Sequence, residues 1–508
     1  MSRVPCSSRS VASQNPQIAL RRGAGVSNHD MALHYLPMTE VLKYFRSGSL
    51  KPSTYFSTVW KLFRKVNPLI NASAFSFFEE AQNAARKADQ KYKTGTARPL
   101  EGIPVAIKDE TYVKGYLTTN GSLLLHDNVA TTTDPVPQRL LDNGAYIHLR
   151  GATPEMSCGA VTWSHLWGVT RNPWNTDLTP GGSSGGCAAI VAAGLAPVAN
   201  ATDNGGSIRI PASQCGLVGV KASFGRIPES PPYNTDTYCH HGYLARTVAD
   251  AAFLFEILAG PHPDDPSSQM TPTALGELNT FPANLKIAYS LDLGWYPIDQ
   301  CVRKNTLNSL KILKKAGVVV DHVKINWDDR VISTARTHQL RNLGGIHIEK
   351  FYKSENKNKL TPYYKNFIDN IRKMTNEEIR LADSYAVFMS ETMQRIFLDY
   401  DIFICPTTST TDIDADFDST SDKLFIDGKE IDPIKGWFLT YPFNTLSTHP
   451  VISIPTGLAD TGVPTGIQIV GKPFDEKTMF QTAAMFERLT PHITGITHIP
   501  YIHNNINV

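Results

Sequence analysis

Pro180 to Arg209 reads PGGSSGGCAAIVAAGLAPVANATDNGGSIR, and from Pro180 to Gly219 the chain is built almost wholly of Gly, Ser, Ala and other small residues, with Asp203 and Arg209 the conspicuous charges. Gly-rich stretches of this length are ordinarily flexible linkers. Here the glycines flank an apolar run, Ala188 to Ala199, that reads as a buried element. Small side chains allow one backbone to approach another, or a ligand, closely. The stretch therefore reads as a packed site.

Its hydroxyls admit three readings. A phosphate-binding loop would need a Gly-Lys-Ser/Thr ending, whereas Cys187-Ala188-Ala189 supplies no cation. A Gly-x-Ser-x-Gly nucleophile elbow fits twice, centred on Ser183 or Ser184, and calls for a following acid and histidine, with His449 a candidate; this is a Ser-His-Asp esterase. The third reading uses Asp203-Asn204-Gly205-Gly206-Ser207-Ile208-Arg209 as well, where Ser207 follows Ser183 by 24 residues (207 − 183). Backbone N–H groups of Asn204, Gly205, Gly206 and Ser207 would converge as an oxyanion hole for the tetrahedral intermediate of acyl transfer. A serine hydroxyl needs a base, and Lys108, at the end of an apolar strand over Gly102 to Ile107, can serve if burial keeps it neutral. Ser183 would relay the proton. A lone Ile-Lys-Asp is ordinarily a surface lysine at a strand end, so residues alone leave these alternatives open.

Gly102-Ile103-Pro104-Val105-Ala106-Ile107-Lys108-Asp109, the Gly-Gly-Ser-Ser-Gly-Gly loop at 181–186 and Asp203 to Arg209 resemble, in order and spacing, the amidase-signature family. The resemblance extends through Pro154-Glu155, Asn172-Pro173-Trp174, Cys215 to Lys221, Arg246 to Asp250 and Pro464 to Gln468, and spans roughly residues 40–490. It implies Lys108 as the base, Ser183 as a bridging serine after a cis peptide, and Ser207 as the nucleophile. Asp203 and Arg209 are implied to brace the nucleophile loop. The implied fold is α/β, one large domain around a central mixed twisted sheet, and the implied activity is hydrolysis of a carbon–nitrogen bond in a small carboxamide, peptide amide or oligoamide, without cofactor or metal. The glutaminase component of tRNA-dependent amidotransferases shares the triad and is the alternative. It is less similar over Pro228 to His241. Asn204 and Cys187 depart from common family residues; Cys187 reads as packing, and Cys239-His240-His241 as too contiguous to hold a metal.

Outward from the site, segments such as Thr54 to Phe63, Phe78 to Lys91, Val302 to Ala316 and Glu476 to Arg488 have helical period, and Leu285 to Ser290 and Val318 to Ile325 flank the third of these as strands. Lys350 to Lys373 is charged and Asn-rich and reads as an exposed helical insertion. Ser157, Trp163 and Trp437 are candidates for the substrate pocket. With 49 Lys and Arg against 47 Asp and Glu, no basic block suggests nucleic acid or an anionic membrane, and the seven cysteines lack paired spacing. Residues 1–30, with Arg3, Arg9, Arg21 and Arg22 and no acid before Asp30, read as a disordered leader with a transit-like composition, ahead of a catalytic domain over 31–508. A cytoplasmic, soluble enzyme is expected, with a small amide as partner and a homodimer left open.

Overall fold

Pro104–Lys108 is buried along its whole length, which accounts for an apolar run with no inside/outside alternation: such a strand is covered on both faces. The structure, a computed structural model, describes residues 33–270, 274–280, 284–352, 357–491, 493, 500 and 502, with 344–352 as helical backbone only. The leader expected at 1–30 lies outside the described residues.

Eleven strands form one sheet. In chain order they are β1 (Ser73–Ser76), β2 (Pro104–Lys108), β3 (Tyr146–Gly151), β4 (Val198–Asp203), β5 (Val218–Lys221), β6 (His240–Ala245), β7 (Lys286–Tyr289), β8 (Val319–His322), β9 (Ile402–Pro406), β10 (Val451–Leu458) and β11 (Pro464–Gly471). Across the sheet the order is β1-β3-β2-β4-β6-β5-β10-β11-β9-β7-β8. β3, β2 and β4 run parallel, as do β9, β7 and β8, and antiparallel pairs join the two groups. The mixed α/β sheet is thus as expected, including the parallel β7–helix–β8 unit around Gln300–Lys315.

Helices cover the sheet with their apolar stripes. Pro52–Ile70 shows the logic: Pro at its first turn fits a position with no hydrogen-bonded N–H, and Tyr55, Phe56, Val59, Leu62, Phe63 and Val66 form its buried face at three- and four-residue spacing. Gly185–Ala192 and Arg209–Cys215 differ, being buried at every residue. Small side chains let the first sit inside the protein just after Ser183, while the second, just after Ser207, is buried with its Arg209 and Gln214 hydrogen-bonded.

Lys350 to Lys373 departs from its expectation as an exposed insertion. Pro362–Lys373 is an amphipathic helix with Tyr363, Tyr364, Ile368 and Ile371 buried, packed with Arg330–Tyr352, which in turn packs with Asn376–Asp399. Asp369, Arg372 and Lys373 occupy its outer side, and composition alone gives no sign of the inner one.

Candidate active site

Strands β2 and β4 are parallel neighbours, with Ala106 opposite Ala199, so Lys108 and Thr202 reach the same end of the sheet. The Lys108 backbone N–H is held by the Asn200 side chain at 2.7 Å. Its fully buried side chain donates from Nζ to Ser183 Oγ at 2.7 Å and Thr202 Oγ1 at 2.8 Å, and Glu110 Oε1 lies 2.9 Å away. Gly182–Ser183 is a cis peptide. Ser184 faces elsewhere, its hydroxyl within 3.4 Å of the Thr202 backbone.

Ser207 sits in a loop braced from four directions. Arg209 grips Asp203 with two hydrogen bonds of 2.9 Å and reaches Thr440 O, Gln468 Oε1 and Asn444 Oδ1. Burial alone would push the Asp203 carboxyl up; the Arg209 charge and the hydrogen bonds from Arg209 and Asn444 hold it well below the usual carboxylate range. Thr440 Oγ1 donates to the Gly205 carbonyl at 2.6 Å and Gln339 to the Asn204 carbonyl at 2.9 Å. Gly206 has φ +129°, and any Cβ there would collide with Thr440, so this turn requires glycine.

Two cavities meet at Ser207, and Ser157, Asn204 and Leu343 border both. The first, ≈ 110 Å³, extends under the helices Arg330–Tyr352 and Pro362–Lys373 and is walled by Gln339, Tyr363, Lys435, Phe438 and Tyr441. The second, ≈ 80 Å³, contains Ser183, Glu110, Thr202, Glu229 and His241. A larger groove of ≈ 610 Å³ between helices, lined by Arg330, Tyr385 and Phe388 among others, holds none of the Lys-Ser set.

Electrostatically the cavities differ. In the first, desolvation and then the nearby Arg336 push the buried Lys435 amine well below its ordinary range; its Nζ donates to Gln339 Oε1 at 2.5 Å and lies 4.2 Å from the Tyr441 ring centroid. The second has carboxylates at Glu110, Asp134 and Glu229. There, burial disfavours a charged His241, but Glu229 Oε1, 3.1 Å from Nδ1, outweighs it and raises the imidazole to about 9.

A model of the amidase family matches residues 57–480. The chain belongs to that family. An acylamidase of Rhodococcus erythropolis is 31% identical over 90% of this chain and 96% of its own. A glutamyl-tRNA(Gln) amidotransferase subunit from a Sulfurihydrogenibium strain is 30% identical over 91% and 99%. Among solved structures, a bacterial aryl acylamidase of the amidase-signature enzymes superposes with a TM-score of 0.84 at 26% identity, covering 91% of this chain and 97% of that one. A 6-aminohexanoate cyclic dimer hydrolase complexed with substrate gives 0.81 at 25% identity, covering 92% and 99%. The protein is an amide hydrolase of the amidase-signature type.

Within this amidase, Lys108, Ser183, Ser157, Asn204, Gly205 and Ser207 come together at the cavities. Three expectations need correction. Gly206, expected among the oxyanion donors, gives its N–H to Asp203 Oδ1 at 2.7 Å; the same aspartate that anchors the loop takes it. Lys108 is buried, but among two hydroxyls and a carboxylate rather than in an apolar setting. Trp163 and Trp437 stand behind the cavity walls. The Trp163 indole donates to Phe417 O and its ring meets Tyr363 edge-on, while Trp437, 1% exposed, meets Phe438 edge-on. A large ring with one N–H to satisfy is served best by the core.

The histidines are dispersed. His449 is stacked on Phe397 and bonded to Gly471 O, and borders neither cavity. Cys239, His240 and His241 have separate partners: Asp236 for Cys239, the Tyr238 carbonyl for His240 and Glu229 for His241. Sequence reading missed Glu110 and Thr202 beside Lys108, and Glu229, Lys435 and Gln339 as wall residues. The one available signal was Glu110, two residues beyond a lysine already taken as the base.

Proposed function

We propose that Ser207 is the nucleophile of a two-step hydrolysis, that Ser183 carries its proton to Lys108, and that residues 31–508 act as a single catalytic domain. The observation that carries this reading is the 2.7 Å contact between Lys108 Nζ and Ser183 Oγ, at a cavity that also contains Ser207. Among the described residues no hydrogen bond joins the Ser183 and Ser207 hydroxyls; bound substrate closes such contacts in many hydrolases.

Ser207 Oγ attacks the amide carbonyl as its proton passes to Ser183 and that of Ser183 to Lys108. The backbone amides of Asn204, Gly205 and Ser207 are the donors available to the oxyanion. Collapse of the intermediate returns the proton to the departing nitrogen, and water repeats the sequence on the acyl-enzyme.

The substrate class is a small carboxamide with an apolar or aromatic arm, in keeping with the Tyr363, Phe438 and Tyr441 wall and with relatives named acylamidase and aryl acylamidase. A second reading, the glutaminase component of a larger enzyme, follows from relatives that belong to glutamyl-tRNA(Gln) amidotransferases. Incubation of the purified chain with an N-acyl arylamide and, separately, with glutamine separates them. Arylamine release by the chain alone is expected. Inertness toward arylamides, with ammonia release from glutamine only when the other amidotransferase components are added, would favour the second.

A further inference from the structure

The relay just proposed uses one of the three polar contacts of Lys108 and leaves Glu110 unexplained. Glu110 Oε1 lies 2.9 Å from Lys108 Nζ. Thr202 closes a ring: its Oγ1 accepts from Lys108 Nζ at 2.8 Å and donates to Glu110 Oε1. Burial would push the Glu110 carboxyl up, but the ammonium of Lys108 and hydrogen bonds from Ser157, Thr202 and Lys108 hold it below its ordinary range. With that carboxyl 2.9 Å from Nζ, the resting arrangement is an ion pair. An ammonium cannot accept the proton of Ser183, so the base must first lose one.

We propose that Glu110 is the positioning residue that takes this proton, so that the base of the amidase is the Lys108–Glu110 pair rather than a lysine neutralised by solvent; this rests on the Lys108–Ser183–Ser207 reading. When substrate fills the cavity and displaces water, the ion pair loses solvation and the neutral pair is favoured. The N–H bond of Lys108 breaks as the O–H bond of Glu110 forms, giving amine and carboxylic acid with no change in net charge. The amine then takes the Ser183 proton, Ser183 takes that of Ser207, and the Ser207 Oγ–carbon bond forms. The pair now carries one positive charge against the one negative charge of the oxyanion. Collapse of the intermediate sends that proton back to the leaving nitrogen, and Glu110 returns its own to Lys108.

Other titratable groups share the cavity with Glu110: Asp134, Glu229 with its partner His241, Tyr233, Cys239, His240, and Asp203 with its partner Arg209, while Cys158 lines the neighbouring cavity. None of these is within the contact distances that join Glu110 to Lys108 and Thr202.

The test is the rate of Ser207 modification by a fluorophosphonate across pH 4 to 10, for the wild type and Glu110→Gln. With an internal acceptor, the wild-type rate holds through neutral pH and declines only when the carboxylate is protonated, below about pH 5. Glu110→Gln must discard the lysine proton to water, so its acid limb moves up by more than one unit toward the lysine range and labelling at pH 6 falls at least tenfold. Glu110→Asp keeps an acceptor and keeps the low limb. A limb that moves down in Glu110→Gln would mean that the carboxylate merely holds Lys108 charged and would overturn the proposal, as would an unmoved limb. The wild-type profile decides the matter even if Glu110→Gln fails to fold: an acid limb in the lysine range contradicts the internal acceptor. Labelling that persists in Ser207→Ala or Lys108→Ala would instead bring down the underlying reading, which is a distinguishable result.

Discussion

The floor of the Ser207 cavity and its walls are built from different kinds of sequence. The floor comes from two strand ends and two Gly-rich turns within Pro104 to Arg209, and nearly every one of its side chains is Gly, Ser, Thr, Ala or a single charge. The walls come from Gln339, Tyr363, Lys435 and Tyr441 on one side and Glu229 and His241 on the other, from separate segments spread between residues 229 and 441. The floor is made of backbone geometry, which a short motif can specify. The walls are made of individual side chains delivered by unrelated elements. On this view the floor carries the reaction common to the family, and the walls carry what distinguishes this member.

The comparison breaks if the floor is chemically dispensable. Lys108→Ala and Ser183→Ala are each expected to lower hydrolysis by about 10²- to 10⁴-fold while the far-ultraviolet circular dichroism is unchanged. Loss of helical signal together with activity would recast both as folding residues. Arg209 tests the brace beneath the floor. Arg209→Met leaves Asp203 buried without its cation, and chemical denaturation should show a loss of about 3–5 kcal/mol; a change under 1 kcal/mol would mean that Asn444 and the loop amides suffice.

The wall on the Glu229 side is sharpened by pH. His241 is raised from its ordinary 6.5 to about 9 when folded. Because the folded protein binds that proton more tightly than the unfolded chain, the resulting stability is complete below pH 6.5 and is lost as pH rises through 9. The melting temperature of the wild type should therefore fall between pH 6.5 and 9 relative to that of His241→Gln. Parallel curves would show that His241 gains nothing from Glu229.

The smallest effect is expected where a wall touches the floor. Gln339→Ala removes the hydrogen bond to the Asn204 carbonyl and the partner of Lys435. At about 1 kcal/mol for one such bond, kcat/KM should drop roughly fivefold, with KM carrying most of the change. A fall in kcat alone would place Gln339 with the floor.

This division also explains what could be read from residues alone. An α/β architecture, the β7–helix–β8 unit and the burial of Ala188 to Ala199 follow from local periodicity and composition, and the mixed sheet from the family resemblance. The meeting of Lys108 with Ser183 at the cavity that holds Ser207 is implied by the resemblance to the amidase-signature family, since the residues alone leave a nucleophile elbow and a phosphate loop open as well. The commitment of the Gly206 amide to Asp203 could not be read, since consecutive glycines permit either orientation and only the folded loop selects one. Trp163 and Trp437 read as pocket aromatics, yet residue type does not say whether a ring lines a cavity or supports the ring that does. Lys350 to Lys373 reads as exposed because its outer face dominates its composition, whereas Tyr363, Tyr364, Ile368 and Ile371 are spaced to form an inner one.

The most direct test of the account is to label the purified protein with a serine-directed fluorophosphonate and map the modified residue, alongside Ser207→Ala and Lys108→Ala. The account predicts modification at Ser207 that disappears in both variants. Modification at Ser183 or Ser184, indifferent to Lys108, would contradict it.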